Sequence, residues 1–325
     1  MSAAGNRPDS AILVVRLGAM GDILHTLPAA RALKLGHPAA TLVWAIEPKW
    51  APLLVENPFV DRVVPVGRES FAALIAGYRA LRQCRYLLAV DFQGLLKSAL
   101  VARAAQPETI YGFDADQVRE RAAALFYDRR IASSAVHVVD RNRDLAAAAG
   151  GVCAGPPAFP LPPGYAEGDL PGGEFVLASP FAGWESKQWP LEHYRELAGR
   201  LSSEAGIPLV LNGPPGADFG KIAPAIPHYS GLAGLIHATR RAAAVVGVDS
   251  GPLHLAAALA KPGVAIFGPT DPARNGPYGG SLRVLRSAAA ATTYKRGAAI
   301  DESMRNITPA QVFEALRAEL ERRCT

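Results

Sequence analysis

Three short stretches carry residues whose types and spacing could do chemistry. In "VVGVDSGPLHLAAAL" an apolar strand ends at Asp249, turns through Ser250, Gly251 and Pro252, and continues as a helix bearing His254. The amides of such a turn point outward at the positive end of a helix, a setting that suits an anion and best of all a diphosphate. The same residues would also serve as a plain N-cap, Asp249 or Ser250, with His254 a core histidine. A second strand-end turn, "FGPTDP" at 267–272, sets Gly268, Pro269, Thr270 and Asp271 beside the first. Two adjacent polar turns in a parallel sheet fit a nucleotide. In "SPFAGWESKQWPLEHY", Lys187 stands between a strand and a helix starting near Pro190, where it could neutralise phosphate as a point cation. A lone loop lysine is ordinarily solvated, but Trp184 and Trp189 on either side indicate a packed loop.

The third stretch is "LVVRLGAMGDILHTLPAARALK", Leu13 to Lys34, a strand that turns at Gly18 and Gly21 and runs on as a helix. Its one carboxylate in the turn, Asp22, is out of place for a phosphate site. It reads either as a cap for a helix from Ile23 or as a functional carboxylate. Other chemistries lack their marks. "GPPGADFGK" has Pro215 where a P-loop needs glycine, and GxGxxG, HExxH, GxSxG and His/Cys clusters are missing from the sequence. Asp114 and Asp116 form a DxD in a loop-like segment, where two close carboxylates are more often solvated than metal-bound.

These residues need a scaffold. The first half alternates strands expected over 11–17, 41–47, 62–66 and 86–93 with helical patterns over 21–36, 70–84 and 94–106. The strands are apolar on both faces, as in a parallel sheet. "GGVCAGPPAFPLPPGYAEGDLPGG", 150–173, reads as a domain linker. The rhythm then restarts with strands over 175–182, 208–213, 244–249 and 263–268, and with helices near 190–205, 232–242 and 251–260. A last helix over 308–323 has Thr308 as N-cap and Pro309 at its first position. The reading is α/β, with two doubly wound domains at 1–160 and 161–325; the last helix is free to pack back on the first domain.

With 325 residues and half of them apolar, the chain is long enough for two cores. A net charge of +5 with dispersed basic residues favours phosphates or an anionic membrane surface and disfavours nucleic acid. Cys84, Cys153 and Cys324 lack metal spacing and suit a reducing cytosol. "MSAAGNRPDS" has no signal-peptide core and no apolar run reaches membrane-spanning length, so a cytoplasmic protein is expected, free to sit peripherally on the membrane's inner face.

The chain resembles glycosyltransferase family 9, the ADP-heptose:lipopolysaccharide heptosyltransferases, and their first-step (type I) branch in particular. The resemblance rests on "MGDILHTLPAARALK", "DFQGLLKSAL", "YGFD", "ESKQWPLEHY", "VVGVDSGPLHLAAAL", "FGPTDPARNGPYG" and "SMRNITPAQVFEAL", in that order. It implies a GT-B architecture: two Rossmann-like domains facing each other across a cleft, with acceptor on the first and nucleotide-sugar on the second. It also implies an inverting, metal-independent heptose transfer from ADP-heptose, a substrate rather than a cofactor, to Kdo on a lipid A-linked acceptor at the inner membrane surface.

On matching positions, Asp22 is the implied base, and Lys187 with the amides around Ser250 and Gly251 would stabilise the departing ADP. Asp249 and His254 lie in the donor motif, Thr270 and Asp271 line the next turn, and Asp218 is a candidate for the adenosine ribose. Gly18, Ala19, His25, Arg119 and Arg121 are expected on the acceptor side, within a pool of first-domain arginines that also includes Arg16, Arg68, Arg79, Arg82, Arg129 and Arg130. Gly18-Ala19, Ala182-Gly183 and the cysteine-free "TTYKRG" at 292–297 depart from the family's pattern. The same fold with another nucleotide sugar or glycan acceptor, or a non-catalytic nucleotide- or glycan-binding protein, are the alternatives.

Overall fold

Parallel strands buried on both faces set the architecture. The computed structural model describes residues 10–67, 70–293 and 297–322; Arg68, Cys324, residues 1–9 and the centre of "TTYKRG" lie outside them. The chain divides into two compact units, 1–162 and 163–325.

In the first unit, β1 (Ala11–Val15), β2 (Thr41–Ile46), β3 (Arg62–Pro65), β4 (Tyr86–Asp91), β5 (Thr109–Phe113) and β6 (Arg129–Ile131) form a parallel sheet of order β3-β2-β1-β4-β5-β6. The second unit repeats it with β7 (Val176–Ser179), β8 (Leu209–Gly213), β9 (Ile226–Tyr229), β10 (Ala244–Val248), β11 (Gly263–Phe267) and β12 (Leu282–Arg286), ordered β12-β11-β10-β7-β8-β9. Numbered from the start of each unit, both are the doubly wound 3-2-1-4-5-6 order, whose strand order reverses between the first and fourth strands. Every residue of β1, β7, β10 and β11 is buried, as helix-covered faces require.

The helices are α1 (Met20–Leu24), α2 (Leu27–Gly36), α3 (Phe71–Leu81), α4 (Leu96–Ala104), α5 (Val138–Ala148), α6 (Leu191–Arg200), α7 (Leu232–Arg241), α8 (Gly251–Ala258), α9 (Pro272–Asn275), α10 (Glu302–Arg305) and α11 (Pro309–Glu321). The single helix expected over 21–36 is two. Pro28 has no N–H for the fourth carbonyl before it, and the chain breaks at His25-Thr26. Thr26 closes the break, its Oγ1 donating to the Asp22 carbonyl at 2.8 Å.

The capping of α11 by Thr308 and Gln311, with Pro309 at the start, follows the sequence expectation. Its packing does not. Val312, Phe313, Ala315 and Leu316 are buried in the second unit's own core with Trp189 and Val264, so the helix expected to be free for the first domain completes the second. The proline-rich segment is pinned along its length. Asn57 Nδ2 donates to the Pro160 carbonyl at 3.1 Å, and Glu167 Oε2 accepts the Gly231 amide ahead of α7 at 2.5 Å. Among the described residues, no helix is long and apolar enough to cross a membrane.

Candidate active site

The sequence-predicted residues gather at strand ends, one group in each unit. In the second unit the group is built on Asp249, which follows β10. Its Oδ2 accepts from Lys187 Nζ at 2.6 Å and from Thr270 Oγ1 at 2.8 Å, and His254 Nε2 lies 3.4 Å from Oδ1. Parallel pairing of β10 with β7 on one side and β11 on the other brings the three contributors together. Lys187 comes from the loop after β7, Thr270 from the turn after β11, and His254 from the first turn of α8.

Burial by itself would raise the Asp249 carboxyl. The hydrogen bond and charge of His254, together with the Lys187 ammonium, outweigh that and hold it well below the usual carboxylate range. Lys187 also lies over the Trp184 ring, 4.3 Å from its centroid, and Trp189 is buried with Nε1 donating to the Ile307 carbonyl at 2.8 Å. The lysine loop is packed, as its tryptophans indicate.

Ser250, not Asp249, is the N-cap of α8, yet its side chain accepts no capping hydrogen bond. Its Oγ is buried with no hydrogen-bond partner among the described residues. Gly251 opens the helix, with Pro252 in its first turn. The neighbouring turn is fixed from below, because a Cβ at Gly268 would stand 2.6 Å from Ser303 Oγ and from Met304 Sδ. The "SMRN" stretch is therefore the floor of the "FGPTD" turn. Two of the expected donor residues make local hydrogen bonds of their own. Asp271 caps α9 by accepting the Ala273 amide at 2.9 Å, and Asp218 stands exposed, closing a turn onto the Gly220 amide at 2.8 Å.

In the first unit the group is built on Asp22. It is the third residue of α1, not a cap ahead of Ile23, and its Oδ2 accepts the Ala19 amide at 3.3 Å. Its Oδ1 pairs with Arg16 at 2.7 Å, and Arg119 Nη1 lies 4.0 Å from Oδ2. Arg16 is almost fully buried, so its charge must be matched. It is, by Asp22 and by the Phe92 carbonyl.

Of the other expected acceptor-side residues, Gly18 faces Trp50: a Cβ there would stand 3.0 Å from the indole nitrogen. Ala19 is the N-cap of α1. His25 is buried, with its ring edge-on to His137 at 5.6 Å. Arg121 pairs with Asp116 at 3.2 Å on the exposed face, and Arg82 donates to the Ala104 carbonyl at 3.0 Å. Sequence reasoning did not single out Glu47, whose carboxylate lies 3.6 Å from Lys97 beside Gly18, or the pairing of Arg16 with Asp22. The second had a local signal, since the arginine directly follows β1, six residues before the carboxylate.

Two doubly wound parallel sheets, with a cation, a helix N-terminus and a hydroxyl meeting at the second sheet's strand ends, define an α/β protein of the doubly wound class. The model of glycosyltransferase family 9 (heptosyltransferase) matches residues 75–302, and the chain belongs to that family. It is 32% identical over 298 residues to lipopolysaccharide heptosyltransferase 1 of Pseudomonas aeruginosa, covering 83% of this chain and 82% of that one. To lipopolysaccharide heptosyltransferase 1 of Escherichia coli strain K12 it is 33% identical over 311 residues, covering 85% and 93%. The structure of E. coli heptosyltransferase WaaC with ADP-2-deoxy-2-fluoro heptose is similar at a TM-score of 0.72 and 29% identity, covering 94% of this chain and 98% of that one. The protein is a glycosyltransferase, a heptosyltransferase of the lipopolysaccharide core.

Proposed function

We propose that the protein transfers heptose with inversion from ADP-heptose to a Kdo sugar of a lipid A-linked acceptor, without a metal ion. The observation that carries this is the Lys187 ammonium held on buried Asp249 beside the N-terminus of α8. A cation and helix amides converge there, as a departing diphosphate requires. The ADP-sugar analogue on the similar E. coli enzyme supports the donor.

Asp22 takes the proton of the acceptor hydroxyl as its oxygen forms a bond to the anomeric carbon from the side opposite the diphosphate. The bond from that carbon to the β-phosphate oxygen breaks, and ADP leaves with the electron pair. Lys187 and the Ser250 and Gly251 amides stabilise the added charge. Arg119, exposed beside Asp22, suits an anionic acceptor on a membrane surface facing the cytoplasm.

The test is Asp22→Asn. Turnover should fall by roughly a hundredfold or more with ADP affinity kept, and EDTA should leave the native enzyme unaffected. Near-normal turnover would reduce Asp22 to a helix residue; a large loss with EDTA would bring in a metal.

A further inference from the structure

The "DFQG" stretch at the end of β4 has no part in the reaction described so far, yet it carries a dense set of hydrogen bonds. Asp91 is fully buried. Its Oδ1 accepts the Gln93 amide at 2.9 Å and the Gly94 amide at 3.4 Å, and its Oδ2 accepts Ser98 Oγ at 2.8 Å and Tyr127 OH at 2.7 Å. The turn after β4 is thereby locked. It then reaches sideways to β1, its parallel neighbour. Gln93 Oε1 accepts the Leu17 amide at 2.8 Å, and the Phe92 carbonyl accepts from Arg16 Nη1. The other amino group of Arg16 holds Asp22 Oδ1 at 2.7 Å, whereas among the described residues Oδ2 has longer contacts, 3.3 Å to the Ala19 amide and 4.0 Å to Arg119.

We infer that Arg16 and Gln93 are positioning residues that anchor Oδ1 of Asp22 and so present Oδ2 as the oxygen that accepts the proton. This rests on Asp22 being the base. Lysine at position 16 keeps the charge but offers one nitrogen in place of two, so it loses the fixed fork that reaches the Phe92 carbonyl and Asp22 Oδ1 from separate amino groups. Methionine at position 93 keeps the shape and removes the acceptor for Leu17.

Arg16→Lys and Gln93→Met should each lower kcat roughly ten- to a hundredfold, the scale of a misplaced catalytic group, with donor KM and ADP stoichiometry unchanged. The decisive measurement is a double-mutant cycle. On an Asp22→Asn background, Arg16→Lys should cost nothing further, because it acts through that carboxylate. Full kcat in both single variants, or losses that multiply on the Asp22→Asn background, overturn the inference while Asp22 stands. Near-normal turnover of Asp22→Asn alone overturns the base and the clamp together. If Arg16→Lys fails to fold, Gln93→Met carries the same cycle.

Discussion

Asp91 and Asp249 occupy the same place in two copies of one sheet. Each closes the fourth strand of its unit, β4 or β10, next to the unit's first strand, and each is buried. Their surroundings differ above all in the charge of the donors. Asp91 is met by a phenol, a hydroxyl and two amides. Burial raises its carboxyl, the four hydrogen bonds only partly offset that, and burial beside this carboxylate pushes the Tyr127 phenol up as well. Asp249 is met by Lys187 and His254, and its carboxyl is held down in spite of burial. One strand end serves as scaffold when its donors are neutral. It becomes a charged site when the loop after the neighbouring strand brings a cation.

The sharpest break of this comparison is kinetic. Asp249→Asn removes the anion that holds Lys187 and should lower turnover by roughly a hundredfold, the scale of a lost electrostatic stabiliser. Asp91→Asn keeps shape and hydrogen bonding, since both hydroxyls can reorient, and should stay within about threefold. Equal losses in steady-state assays would show that the two aspartates are not different in kind.

A smaller and more diagnostic effect is the pH dependence of stability. The lowered carboxyl of Asp249 contributes stability above the ordinary carboxylate range, and that contribution is lost as pH falls below about 4 toward its folded-state value. The raised carboxyl of Asp91 has the opposite sign: the folded state binds the proton first, and stability is gained as pH falls through its folded-state value toward about 4. Denaturation midpoints of wild type minus each Asn variant, followed from pH 7 to 3, should therefore slope in opposite directions. Parallel slopes would dissolve the distinction.

The smallest effect separates cap from ligand. Asp271→Ala should cost about 1 kcal/mol in stability, the usual value of an N-cap, and leave ADP affinity within about twofold. A large loss of ADP affinity would return Asp271 to the donor site.

Strands β1, β2, β3, β4, β7, β8, β10 and β11 were legible in the sequence because burial on one or both faces writes them as apolar runs. Three of the four edge strands, β6, β9 and β12, were not. "RRI", "IPHY" and "LRVLR" are short or charged and mostly exposed, a composition that keeps sheet edges from pairing with other chains and also hides them from pattern reading. β5 was missed for a different reason, its run being interrupted by Gly112. At the site, Lys187 and Asp249 could be nominated from local turns. That they touch could not, because 62 residues separate them and strand order alone makes them neighbours. Asp271 and His25 carry local roles that a motif does not spell out, the first capping α9 and the second packing against His137.

Gly112 has a bearing on the history of this chain. A Cβ there would stand 2.2 Å from the Tyr127 ring, so the glycine is the space through which the phenol reaches Asp91. Three positions spread over 36 residues are thus one unit of inheritance: a larger residue at 112 evicts the ring, and without the ring the aspartate keeps a buried charge short of a donor. Relatives should carry all three or replace all three. A lineage that lost the glycine while keeping Tyr127 and Asp91 would have had to rebuild the turn after β4.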